Sequence, residues 1–364
     1  MVKRLAIIGV GLIGGSFGLA VNERNLAKEV VGLDNDQRNI ELALSSGAIH
    51  SKASSLAEAV KDAELVVLAT PVLASEEILS QLASLLDENT IVTDVGSTKE
   101  IITSLATKIL PSGVNFVGGH PMAGSEVTGM RGAHSYLFEN AYYLLTPTPE
   151  TDTTALQKVR NLVEIMGARV VEMTPEEHDQ NVAVVSHLPH LLASALVNTL
   201  TDMPEYKKII PLAAGGFRDT TRIAAGCSEM WRDIFRSNSV RIKEVIKSFR
   251  TVLDEYEQLI EEDHSAKLQQ KLEEARKTRL SIPNRSKGYL PQLYEVLLTV
   301  PDQPGIIAHF SNILGQNGVN ITDLEILRVR EGQGGTIRLA FATEEEQKKA
   351  VKVLLREGYQ AHVK

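Results

Sequence analysis

Six residues near the N-terminus, Gly9-Val10-Gly11-Leu12-Ile13-Gly14, restrict the fold more than any other stretch of the chain. They end the apolar run Leu5-Ala6-Ile7-Ile8 and open a helix-like segment. Asp34 then closes the next apolar run, Val30-Val31-Gly32-Leu33. Each position has a physical reason. Gly9 permits a tight turn, Gly11 lets the backbone approach a pyrophosphate, and Gly14 lets the helix pack closely on the strand. The helix N-terminus, with Leu12 and Ile13 in its first turn, attracts phosphate charge. Asp34 suits ribose hydroxyls and would repel a 2′-phosphate. Asn35 follows where an NADP site often carries an arginine, so the pattern reads as NAD-binding, with Arg38 near enough to keep NADP open.

The rest of the chain divides into blocks around this motif. Up to residue 173, short apolar runs alternate with amphipathic segments. Leu65–Leu68 and Ile91–Asp94 read as further buried strands, and Ala74–Leu86 and Thr98–Ile109 as helices. This is the arithmetic of a doubly wound, Rossmann-type parallel sheet. Strand-like Tyr142–Leu145, helix-like Thr153–Met166 and strand-like Ala168–Met173 extend it. Residues 174–280 read as all-helical, opening on the capping-box pattern Thr174-Pro175-Glu176-Glu177. Within them, 240–260 carries an apolar stripe that suits a bundle or a dimer seam. Residues 281–292, with Pro283, Gly288 and Pro291, read as a linker. In 293–364 the pattern βαββαβ predicts a small ferredoxin-like α+β sandwich.

With 364 residues and a net charge of −8, the chain has no general attraction for nucleic acid or for an anionic membrane. The lone cysteine, Cys227, allows no intramolecular disulfide, which points to the cytoplasm. No signal peptide is apparent, and no uninterrupted apolar run reaches the roughly 18 residues of a membrane span.

Open sheets bind ligands beyond the carboxyl ends of their strands. Thr70-Pro71 and Gly96-Ser97-Thr98-Lys99 fall at such ends, where Ser97 serves either the site or the next helix as its N-cap. After the expected last parallel strand comes Gly118-Gly119-His120-Pro121-Met122-Ala123-Gly124-Ser125-Glu126. Histidine titrates at about pH 6.5 and so suits proton transfer near neutrality. In the helical block, His187 and His190 lie three apart on neighbouring faces. With no cysteine or carboxylate cluster nearby, they do not read as metal ligands, and His187 is equally at home in a core. Gly215-Gly216-Phe217-Arg218-Asp219-Thr220-Thr221-Arg222 offers two arginines for carboxylate capture, or for ion pairs with Asp219 and Asp233. Trp231, the only tryptophan, suits core packing.

Taken together, these motifs resemble prephenate dehydrogenase in the form fused to a C-terminal ACT domain. The resemblance runs essentially end to end. It rests on Gly9–Gly14, Asp94–Lys99, Gly119–Glu126, His187-Leu188-Pro189-His190, and Phe217–Arg222 with Trp231. The last block adds Val300–Ile306 and Asn317–Ile321. It implies NAD-dependent oxidative decarboxylation of prephenate to 4-hydroxyphenylpyruvate in tyrosine biosynthesis. His120 would bind the 4-hydroxyl and polarise it or take its proton, and Ser97 would position His120 and the nicotinamide. Arg222 would bind a substrate carboxylate, with His190 and Trp231 in the pocket. Glu126 and Asp219 would gate the site or bridge subunits. Thr70 and Pro71 would join the glycine turn at the cofactor. The helical block would form a homodimer. The ACT domain would bind tyrosine as effector through Asp302, Pro304, Gly305, Asn317 and Asn320, and could build higher oligomers.

The core motifs serve arogenate as well as prephenate, so arogenate (cyclohexadienyl) dehydrogenase stays open. A β-hydroxyacid dehydrogenase would have a helical-domain lysine with an asparagine four residues on. Lys207 and Lys208 are followed there by Pro211 and Leu212. A non-catalytic amino-acid sensor is the remaining alternative, against which His120, Ser97 and Arg222 argue.

Overall fold

The apolar runs of the first 172 residues become one eight-stranded sheet. Its strands are β1 (Val2–Ile8), β2 (Ala27–Leu33), β3 (Ser51–Lys52), β4 (Leu65–Leu68), β5 (Ile91–Asp94), β6 (Asn115–Pro121), β7 (Tyr142–Thr146) and β8 (Arg169–Glu172). Their spatial order is 3-2-1-4-5-6-7-8. The computed structural model describes every residue except 125–126, 283–292, 302, 328–334 and 364. The chain separates into two units, residues 1–288 and 289–364.

Helices cover both faces of the sheet because both faces are apolar. Leu5, Ile7, Val30 and Val67 point into one core, and Ala6, Ile8, Val31, Val66 and Leu68 into the other, the period of two that a strand imposes. β1 to β6 pair in parallel. The expected continuation of that pattern needs a correction: β7 runs antiparallel to β6, and only β8 resumes parallel pairing, with β7. Among the described residues the β6–β7 connection holds just a short 3₁₀ turn, Met130–Gly132. A strand that returns without a crossover helix returns antiparallel.

The helical part of the first unit begins with Pro175–Val182, a π-helical turn Ala183–His187 and Leu188–Asp202, which run on continuously. Pro189 brings no N–H to this run, and the widened turn lies just before it. By length and composition the run could cross a membrane. Its His178, Asp179, His187 and His190 are buried, three of them in hydrogen bonds to other elements, a polar face that suits a protein interior and not lipid. Helices Ser228–Ser237, Ser239–Glu261 and Ser265–Ser281 follow. Their buried core is small: Ala183, Ile242 and Val245, with Leu188, Leu191, Phe235 and Ile246 packed against it. The stripe expected on 240–260 is therefore buried only near its start, and Val252, Leu253 and Ile260 are exposed.

The second unit contains β9 (Tyr294–Val300), β10 (Asp323–Leu327), β11 (Gly335–Phe341) and β12 (Gln360–Val363), with helices Ile306–Gln316 and Glu344–Arg356. The antiparallel order 10-11-9-12 is the ferredoxin-like arrangement read from the sequence. Val296, Leu298, Val300, Ile337, Leu339 and Phe341 meet Phe310, Leu314 and Leu354 of the helices. Of the effector residues expected here, Asp302 lies outside the described residues. Gly305 takes the left-handed conformation at the start of helix Ile306–Gln316. Pro304 lies in the turn before it. Asn317 ends that helix, donating to the carbonyl of Ile313 at 2.9 Å, and Asn320 follows shortly after.

Candidate active site

The glycine turn follows β1 and leads directly into helix Leu12–Glu23. Gly9 has φ +95°, and a Cβ there would lie 2.6 Å from the Ala69 carbonyl oxygen. A Cβ on Gly14 would lie 1.9 Å from the Gly9 oxygen, so the helix rests against the turn itself. Gly11 differs: an added Cβ would meet nothing within 4 Å. No packing contact among the described residues accounts for a glycine there. The helix start has no side-chain cap and no acidic residue in its first turn. Asp34 sits alongside, accepting from the Val10 N–H at 2.8 Å and the Asp36 N–H at 2.7 Å. Arg38 turns to Asp36, 3.3 Å away, which caps the following helix. These residues fit a dinucleotide: open space for the pyrophosphate, unpaired helix N–H groups facing it, and an oriented carboxylate for a ribose. Thr70 and Pro71 follow β4, Pro71 just before helix Val72–Leu82, with the Thr70 hydroxyl 2.8 Å from that of Ser75.

His120 lies within β6, near its end, rather than in a turn after it, which corrects the expected placement. Gly118 and Gly119 are needed because the strand is crowded. A Cβ on Gly118 would lie 2.3 Å from Thr146 Oγ1, and one on Gly119 2.6 Å from the Asp94 carbonyl oxygen. Beneath them Asp94 and Lys99 form a fully buried ion pair. Asp94 also accepts from the N–H groups of Gly96, at 2.9 Å, and Gly119, at 3.1 Å.

The ring of His120 meets a residue that sequence reasoning missed. Its Nδ1 is 2.8 Å from Nε2 of His178, whose Nδ1 is 2.7 Å from Asp179 Oδ1. Asp179 in turn accepts from the N–H of Lys99 at 2.7 Å and of Glu100 at 3.0 Å. It thereby caps helix Glu100–Ile109, the task that one of the two readings gave to Ser97. Ser97 makes no capping bond and stands half-buried. Burial first, then the charges of His178, Lys99 and His187, holds the pKa of His120 well below the histidine norm. Burial pushes His178 down to about 2 and His187 to about 4. The available signal was the pair His178-Asp179, one turn into a helix whose start was already marked by Thr174.

Asn238 joins the clusters, donating to the Asp179 carbonyl at 2.8 Å and lying 3.2 Å from His187 Nδ1. His187 meets the Trp231 ring edge-on, with centroids 6.2 Å apart. His190, Trp231 and Phe235 line an open cavity of about 730 Å³, with Arg232, Arg236 and Gly226 also on its wall. Arg222 and Asp219 are exposed on the segment leading to this wall, and neither lines the cavity. Glu126 lies outside the described residues. No group of three or more metal-binding side chains occurs among the described residues.

Three family models match in succession: "Prephenate dehydrogenase, nucleotide-binding domain" over residues 17–172, "Prephenate dehydrogenase, dimerization domain" over 174–274, and "ACT domain" over 294–357. Prephenate dehydrogenase of Bacillus subtilis (strain 168) is 38% identical over 352 residues, which are 96% of this chain and 95% of that protein. The crystal structure of prephenate dehydrogenase from A. aeolicus, in complex with hydroxyphenyl propionate and NAD+, matches with a TM-score of 0.73. The identity is 35%, over 77% of this chain and 98% of that one. The structure of Synechocystis arogenate dehydrogenase matches with a TM-score of 0.68 at 31% identity, over 76% and 99%.

Proposed function

The chain belongs to the prephenate dehydrogenase family, and on that premise we propose that it oxidises prephenate with NAD and releases carbon dioxide and 4-hydroxyphenylpyruvate. The observation that carries the reading is His120, a buried, neutral imidazole at the end of β6 in the sheet that carries the glycine turn. NAD, when bound, would supply the acceptor for the hydride that leaves C4 of the cyclohexadiene ring. The turn Gly9–Gly14 would hold its pyrophosphate and Asp34 its ribose, with Thr70 and Pro71 beside it. His120 takes the proton of the 4-hydroxyl as C4 becomes a carbonyl. The ring carboxylate then leaves as carbon dioxide, its bonding electrons make the ring aromatic, and the proton returns to the phenolate oxygen. Such general-base help is worth about 10²–10⁴-fold.

Ser97, half-buried just after β5, positions His120 and the nicotinamide. Arg222 binds a carboxylate, His190 and Trp231 shape the pocket, and Glu126 and Asp219 gate it or bridge subunits. The domains run 1–173, 174–280 and 293–364, with 281–292 as linker. Residues 174–280 make a homodimer, supported by the exposed apolar side chains of Val184, Val185, Val252, Leu253 and Ile260. The ACT domain binds tyrosine through Asp302, Pro304, Gly305, Asn317 and Asn320 as a feedback inhibitor, and a cytoplasmic location goes with this role.

The second reading is arogenate as substrate, favoured by the match to Synechocystis arogenate dehydrogenase at 31% identity. One assay tests both: NADH formation from prephenate and from arogenate, each with and without tyrosine. Turnover of prephenate with inhibition by tyrosine is expected. Turnover of arogenate alone transfers the assignment to that substrate, and turnover of neither overturns the proposal.

A further inference from the structure

We infer that His178 and Asp179 set the tautomer of His120, so that Nδ1 carries its proton and Nε2 is the bare, proton-accepting nitrogen. The inference deepens the reading of His120 as the base and makes both residues positioning residues.

The direction of every bond in the chain follows from its far end. Asp179 receives backbone N–H groups on both oxygens, from Lys99 at 2.7 Å and from Glu100 at 3.0 Å. Neither donor can be turned round, so the carboxylate is held as an acceptor. The bond to His178 Nδ1, at 2.7 Å, therefore carries the histidine's proton. A neutral imidazole has only one N–H. His178 is buried and stays neutral down to about pH 2. Its Nε2 is then a lone pair, and the atom facing it at 2.8 Å, His120 Nδ1, must donate. His120 is neutral for the same reason, burial, and its single proton is thereby committed to Nδ1. Nε2 is the ring atom left to accept from a substrate hydroxyl.

The opposite wiring would need a protonated Asp179 facing two backbone donors. It would also put an N–H where the substrate's own O–H must give its proton away. Neutralising the carboxylate that orients a catalytic histidine costs on the order of 10⁴-fold in rate, through the wrong tautomer.

His178 and not Asp179 is the residue to vary, because Asp179 also caps helix Glu100–Ile109. His178→Leu removes the acceptor for His120 Nδ1. His178→Gln returns a carbonyl oxygen close to where Nε2 stood. The full-length chain labelled with ¹⁵N in its imidazoles reports each tautomer by NMR without substrate. The wild type and His178→Gln are expected to show His120 protonated on Nδ1. In His178→Leu the proton should move to Nε2, and kcat should fall by about 10²-fold or more while NAD affinity holds. His178→Gln should recover most of that loss. A wild-type spectrum with the proton on Nε2 overturns the inference, as does wild-type kcat in His178→Leu. Should His178→Leu fail to fold, the wild-type spectrum and the rate of His178→Gln still decide. If His120→Asn turns over normally, the assignment of His120 as base is what fails, because the tautomer is read independently of turnover.

Discussion

The imidazole of His190 lies flat on the indole of Trp231, with ring centroids 3.7 Å apart and planes 12° apart. The pair forms part of the cavity wall, and His190 Nδ1 is buried with no hydrogen-bond partner among the described residues. Stacked aromatic pairs contribute about 0.5–1.5 kcal/mol beyond the area they bury. Trp231→Leu is expected to raise KM for the cyclohexadiene by about 2–13-fold, that energy expressed as binding, with a smaller change in kcat. Steady-state kinetics at saturating NAD checks this. An unchanged KM would return Trp231 to core packing alone.

Two glycines of the same turn should behave oppositely. A Cβ at Gly11 meets nothing, so Gly11→Ala should keep its Tm and lose NAD affinity. A Cβ at Gly14 strikes the Gly9 carbonyl, so Gly14→Ala should lose Tm as well. Thermal melts beside NAD titrations separate the two outcomes.

Lys99 and Asp94 are paired with no solvent access. Removing one partner of such a pair leaves a buried charge and costs about 3–5 kcal/mol. Lys99→Met is therefore expected to destabilise by that amount in urea unfolding, far beyond the effect of breaking the exposed pair Lys208–Glu205.

The depressed histidines make two statements about pH. A base must be unprotonated, and His120 titrates well below 6.5, so kcat should stay flat on acidification past that value and fall only further down. For stability the sign runs the same way. His178 and His187 are held neutral when folded, down to about 2 and about 4, but titrate at the ordinary 6.5 when unfolded. Their contribution is complete above pH 6.5 and is lost progressively as pH falls below it toward those folded values. Melting curves from neutral into the acid range should show a falling Tm. His187→Gln, which removes one of these groups, should flatten that slope.

Val185 and Leu253 are large apolar side chains, 67% and 49% exposed, in the region matched by the dimerisation-domain model. The double variant Val185→Asp, Leu253→Asp should shift the mass measured by light scattering from dimer to monomer. A dimer that survives places the seam elsewhere.

Much of this protein could be read from local pattern. Period-two apolar runs, a glycine turn with Asp34 beyond it, and the βαββαβ order of the last block mark the strands of both sheets, because strand faces and tight turns depend on neighbours a few residues away. The motif residues of the site, His120, His190 and Trp231, also stood out by type and setting. What tertiary structure alone decided is how distant groups meet. His120 and His178 are 58 residues apart and touch only because helix Pro175–Val182 packs against β7, the strand paired with β6. Asp179, and not the adjacent Ser97, caps helix Glu100–Ile109. β7 reversed direction because its connection holds no crossover helix among the described residues. Such contacts depend on how whole elements pack, and no spacing along the chain encodes a packing partner. That is why the sequence by itself determined the strands and singled out His120, and only the packed fold decided what holds that histidine in place.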